Sequence, residues 1–169
     1  AALGALASPH ATLEELHLLQ KFVRAAGSEN IDCRLRQTDF SLDGKQVVPW
    51  LGMSIAEIPT LDRVLVVGSF LRKDHPLLAQ RVRQAAKKFT RVSLLHVADD
   101  DQLIALQGKS IVAPSALATE LAGIVKAVAE AKGAAVDAAL AGVQPSAAAK
   151  AIAESLASGE KGAIFLGNF

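Results

Sequence analysis

Continuous apolar runs alternate along this chain with stretches in which apolar residues recur every three or four positions. The first pattern reads as buried strand and the second as amphipathic helix. Leu3 to Ala7 is a short run of the first kind. Thr12 then opens a helix: Thr12 and Glu15 form a capping-box pair, in which each side chain can satisfy a backbone donor of the other. Leu16, Leu19, Val23 and Ala26 share one face of that helix. Glu14 and Glu15 sit at the positive end of its dipole, with Lys21 and Arg24 at the negative end. Gly27 is placed to close it.

Ile31 to Leu35 can extend. Asp39 to Pro59 is punctuated by Gly44, Pro49, Gly52 and Pro59, which predicts a long surface connection anchored by Trp50 and Leu51. Leu61 to Gly68 is a strong buried strand, rich in β-branched residues. Pro76 belongs in the first turn of a helix capped by Asp74 or His75, with Leu78, Val82 and Ala85 inward. Arg91 to Val97 is a further strand. Asp99, Asp100 and Asp101 are expected to cap a short helix through Leu106, and Ser110 to Ala113 a brief strand. Ser115 is expected to cap the longest helix, with Leu117, Leu121, Ile124, Val125 and Val128 inward and Gly133 at its end. Two more helices are expected at Ala134 to Ala141 and Ser146 to Ser158, and a last strand at Ala163 to Leu166.

Strands that are continuous apolar runs, alternating with helices, imply a mostly parallel sheet covered on both faces: an α/β, doubly wound fold. At 169 residues the chain is expected to form a single domain over 1–169. It opens on an apolar run without Met and closes just after a strand, so the expectation is a fragment of a larger subunit. Composition removes several function classes. With 18 basic and 17 acidic residues the net charge is +1, which gives no electrostatic case for nucleic acid or an anionic membrane. The one cysteine, Cys33, allows neither an internal disulfide nor a cysteine-only cluster. No apolar run is long enough for a membrane span, because Glu120, Lys126, Glu130, Lys132, Asp137 and Lys150 interrupt the Ala-rich region. The first residues lack the basic segment of a signal peptide.

Candidate chemistry is sparse. A dinucleotide site needs three spaced glycines after the first strand, and here Gly68 is followed by Ser-Phe-Leu-Arg-Lys-Asp, so Gly68 reads as a turn glycine. Gly108-Lys-Ser110 has the ending of a phosphate-binding loop but lacks the upstream glycine (position 103 is Leu) and precedes a strand instead of a helix. His10, His17, His75 and His96 do not have close metal-ligand spacing. Asp99, Asp100 and Asp101 follow a strand end and could hold Mg²⁺, though helix capping is the favoured use. Cys33 reads as a plain thiol despite Arg34 and Arg36 nearby. The densest charge cluster is Arg72, Lys73, Arg81, Arg83, Lys87, Lys88 and Arg91. Such a cluster is ordinarily a solvated helix face, and otherwise a surface for an acidic neighbour.

Three motifs carry a resemblance: Thr12-Leu-Glu-Glu15, Gly27-Ser-Glu-Asn30-Ile-Asp32, and the strand Val64 to Val67 followed by Gly68-Ser69 and His75-Pro76. Together they resemble the molybdopterin-type oxidoreductases. The variant Gly-Ser-x-x-Arg-Lys-x-His-Pro, with Ile31-Asp-x-Arg-Leu-Arg-Gln37, looks like the large iron–sulfur subunit of bacterial NADH-quinone oxidoreductase (respiratory complex I). In catalytic relatives a Cys, selenocysteine or Ser reaches the metal a few residues after Asn-x-Asp. Here that position falls near Gln37 or Thr38, and Cys33 comes too early. Ala98-Asp99-Asp100 stands where relatives carry Asp-Pro-Arg. The resemblance therefore implies a non-catalytic domain with no catalytic residues, no metal and no cofactor of its own. Its vestigial-pocket candidates are Gly68, Ser69, Thr38 and Asp99. The parent's iron–sulfur clusters would be held by other regions. Implied partners are the rest of the same polypeptide and neighbouring subunits of the complex, on the cytoplasmic side of the bacterial inner membrane, with no nucleic acid and no membrane insertion. Two alternatives stay open: a domain that still binds a molybdopterin or nucleotide near Gly68 and Ala98, and an unrelated α/β enzyme.

Overall fold

The Thr12–Glu15 pair behaves as its spacing predicts. In the computed structural model the Glu15 N–H donates to Thr12 Oγ1 (3.3 Å) and the Thr12 N–H donates to Glu15 Oε2 (2.8 Å). The structure describes residues 3–8, 10–33 and 50–167. These fall into two compact units, Ala1–Trp50 and Leu51–Phe169, and each is described by itself.

In the first unit, strand β1 (Ala5–Leu6) precedes helix α1 (Leu13–Ala25) and strand β2 (Ile31–Asp32). The two strands pair in parallel, Ala5 opposite Ile31 and Leu6 opposite Asp32. Both are shorter than the apolar runs suggested, and the continuation expected to Leu35 lies outside the described residues. Gly27 ends the helix in the left-handed conformation at φ +81°. Its N–H donates to the Arg24 carbonyl (3.0 Å) and that of Ser28 to the Val23 carbonyl (3.1 Å), which satisfies the last carbonyls of the helix. The buried Ser28 hydroxyl then donates to the Leu3 carbonyl at 2.7 Å, tying the end of α1 to the approach of β1.

The second unit begins with a 3-10 turn, Ile55–Thr60, whose Ser54–Glu57 pair forms a second capping box and whose Ile58 is fully buried. Strand β3 (Arg63–Val67) follows, then helices α2 (Leu71–Asp74) and α3 (Pro76–Ala86), and strands β4 (Arg91–His96) and β5 (Leu106–Ile111). Helices α4 (Leu117–Ala131) and α5 (Ala147–Ala157) lead to strand β6 (Gly162–Leu166). The strand order is β5-β4-β3-β6 and every pairing is parallel. Alternate residues of the central strands feed opposite faces. Val64, Val66, Val92 and Leu94 pack with Ile58, Leu71, Ala79 and Val82, while Leu65, Val67 and Leu95 pack with Ile124, Ala149 and Ile152. Burial on both faces is why β3 and β4 read as unbroken apolar runs, and the α/β, doubly wound reading holds.

Several elements differ from expectation. Residues 99–105 form no helix. The Asp101 carboxylate instead accepts from the Leu103 N–H (2.8 Å), with Leu103 at φ +54°, and β5 starts at Leu106. The expected start of that strand at Ser110 is late because β5 lies at the sheet edge, where one side of each residue pair meets water and the run is polar. Ser115 is not a helix cap: Pro114–Ala116 forms a 3-10 turn, and α4 begins at Leu117 without a side-chain cap. Val125 is 47% exposed, off the inward face of α4. The helix expected over Ala134 to Ala141 reduces to the 3-10 turn Ala138–Leu140, capped by Asp137. Trp50 and Leu51 are exposed and anchor nothing by burial.

Candidate functional site

Parallel α/β sheets place ligand groups beyond the carboxyl ends of their strands, at the point where strand order reverses. In the second unit the order advances from β3 through β4 to β5, then returns across β3 to β6. The relevant crevice therefore lies between the ends of β3 and β6. There Gly68 adopts φ +61° and its N–H donates to the Leu95 carbonyl (2.9 Å). Ser69 is buried, and its hydroxyl donates to Asp74 Oδ2 (3.0 Å). The Phe70 N–H donates to the same oxygen (2.8 Å), so the Asp74 carboxylate folds the turn onto itself. Asp74 is the last residue of α2, and neither it nor His75 supplies a side-chain cap to α3.

From the other side, the Gly167 N–H donates to the Val67 carbonyl at 2.8 Å. A Cβ added at Gly167 would stand 2.1 Å from the Gly68 oxygen and 2.8 Å from Ser69 Cβ. The exit of β6 is thus seated on the turn after β3. The serine hydroxyl and carboxylate in this turn bond to each other, and the backbone of Gly167 stands close against that of Gly68 beside them. These polar groups bond to one another, so neither Ser69 nor Asp74 is offered unpartnered to a pterin or its phosphates.

The other candidates are similarly occupied. Asp99, beyond β4, receives Lys109 Nζ from β5 at 2.7 and 2.8 Å. Both side chains are largely exposed, so this pair contributes at most about 1 kcal/mol. The same contact uses the lysine of Gly108-Lys-Ser110 inside a strand, which disposes of a phosphate loop there. Ser110 and Ser146 both donate to Glu120 Oε1 at 2.7 Å, joining β5 to the start of α5 through α4. His96 is buried, with Nδ1 3.0 Å from both the nitrogen and the oxygen of Ala98. His10, His17 and His75 are exposed. Thr38 lies outside the described residues. Among the described residues no group of three or more His, Cys, Asp or Glu side chains could hold a metal ion; of the three aspartates, Asp99 is engaged by Lys109 and Asp101 by the Leu103 N–H. Cys33 is an exposed free thiol in the first unit, beside an open groove lined by Leu13, Leu16, His17, Arg24 and Asp32.

One carboxylate is held below its usual range. The backbone N–H of Glu160 (2.8 Å) is the main cause, helped by that of Lys161 (3.2 Å) and by Arg63, and all favour the ionised form of Asp62. Arg63 in turn donates from Nε to the Ser155 carbonyl (2.7 Å) and from an Nη to Ser158 Oγ (3.0 Å). This network sits before β3, at the amino end of the sheet, where it fastens α5 and the entry of β6 to β3. It is architectural.

The molybdopterin oxidoreductase family matches residues 1–158. The chain belongs to that family. An F420-dependent formate dehydrogenase subunit alpha from Methanocaldococcus jannaschii is 31% identical to it over 98 residues, which is 55% of this chain. The match spans 15% of that relative's length. Within this molybdopterin oxidoreductase domain, the sequence locates the turn at Gly68 and Ser69 but does not reveal Asp74 and Gly167 as the groups that close it. Asp74 reads as the start of the next helix because Pro76 announces one. Gly167 carries no signal beyond being a glycine after a strand.

Proposed function

We propose that this molybdopterin oxidoreductase domain is a non-catalytic structural domain of the large iron–sulfur subunit of an NADH-quinone oxidoreductase. In this reading it supports NADH-to-quinone electron transfer in the peripheral arm by holding neighbouring regions in place, and it passes no electrons itself. The observation that carries the reading is the closed turn after β3, where Ser69, Phe70 and Asp74 bond to one another and Gly167 rests on Gly68. The sequence Gly68-Ser-Phe-Leu-Arg-Lys-Asp-His75-Pro76 supports the assignment to that large subunit by resemblance. Its partners are then the rest of the same polypeptide and adjoining subunits, at the cytoplasmic face of the bacterial inner membrane. No helix among the described residues is long and apolar enough to cross a membrane.

The similarity to a formate dehydrogenase alpha subunit favours a second reading, a domain that still binds a molybdopterin or nucleotide cofactor in a redox enzyme. One experiment separates the two. The intact parent protein is purified, its molybdenum and tungsten are measured by mass spectrometry, and pterin is extracted after acid oxidation. The structural reading expects iron without stoichiometric molybdenum, tungsten or pterin. One metal and one pterin per chain would overturn it in favour of the second.

A further inference from the structure

We draw no further inference here: the strongest candidate, the apolar edge of the sheet at β6, where Ile164 and Leu166 are exposed, carries nothing because nothing in the structure shows what covers it.

Discussion

Replacing Gly167 by alanine tests whether the crevice between β3 and β6 is closed by backbone. The new Cβ would stand 2.1 Å from the Gly68 oxygen, 2.5 Å from the Gly68 carbonyl carbon and 2.8 Å from Ser69 Cβ. Ordinary contact between such atoms begins at about 3.5 Å, so the ends of the two strands must part by more than an ångström. The atoms struck first are backbone, and no rotamer change relieves them. Overpacking of this kind costs about 1–3 kcal/mol. Separation also lengthens the 2.8 Å bond from the Gly167 N–H to the Val67 carbonyl, worth about 1 kcal/mol. The sum, about 2–4 kcal/mol, corresponds to a fall in Tm of roughly 5–15 °C for a chain of this size. Gly142→Ala is the matched control, because nothing lies within 4 Å of its added Cβ and its φ is not left-handed. There the lost freedom of the unfolded chain predicts a change between neutral and about 1 kcal/mol of stabilisation. Urea titrations of both variants, followed by far-ultraviolet circular dichroism, give the two values. If Gly167→Ala unfolds within about 0.5 kcal/mol of the parent, a spread within which ordinary surface substitutions fall, then the crevice is open and backbone does not close it.

Two further outcomes follow from polar contacts in the second unit. Asp62 is held ionised by the Glu160 and Lys161 amides and by Arg63, so its folded pKa lies below its unfolded value, which is about 3.9. Its stabilisation is full above that value and disappears as pH falls through the folded pKa. Asp62→Asn should therefore be less stable than the parent at neutral pH and show a shallower loss of stability below about pH 4; parallel acid-unfolding curves would refute this. Ser146→Ala removes the acceptor for the Ala149 N–H (2.9 Å) and the hydroxyl given to Glu120 (2.7 Å), and should cost about 1–2 kcal/mol in urea unfolding. Ser115→Ala should change stability by less than about 0.5 kcal/mol, because Ser115 caps no helix.

The central sheet was legible because two effects agree in it. β3 and β4 are buried on both faces, so they appear as unbroken runs of Val and Leu, and the parallel fold follows from that alone. β5 broke the rule for a physical reason: it is a polar edge strand, and its Gly108 sits at a point of close approach and not in a turn. A Cβ there would lie 3.1 Å from Ile152 Cγ1 and 3.3 Å from Ser93 Oγ, so α5 and the neighbouring strand would have to give by a few tenths of an ångström to admit a side chain. A glycine flanked by Gln107, Lys109 and Ser110 looks like a loop in sequence, whereas in three dimensions it is a point of tight packing. The helix caps divide in the same manner. Thr12 and Ser146 precede helices and accept from the amides three residues on, but Ser115 is overtaken by Pro114, whose fixed φ starts a tighter 3-10 turn that defers α4 to Leu117.

The site was legible in its missing features and not in its contacts. Gly68 stands without the glycines a dinucleotide needs, and this can be read directly from the chain. What fills the place is a relation among residues far apart in sequence. Asp74 reaches back to Ser69 and Phe70 because Gly68, at φ +61°, turns the chain sharply at the end of β3 and α2 carries the carboxylate over that turn. Gly167 meets Gly68 only because β6 crosses back to pair with β3 in a register that sets Leu166 beside Val67. No local pattern encodes that register, in which Phe165, the buried residue of β6, packs with Ile58, Val64, Val66 and Leu71 on one face of the sheet. The groups that close the crevice are thus held by the same core that forms the sheet. A side chain added at Gly167 would have to part the ends of β6 and β3, a shift of backbone and not a change of side-chain rotamer.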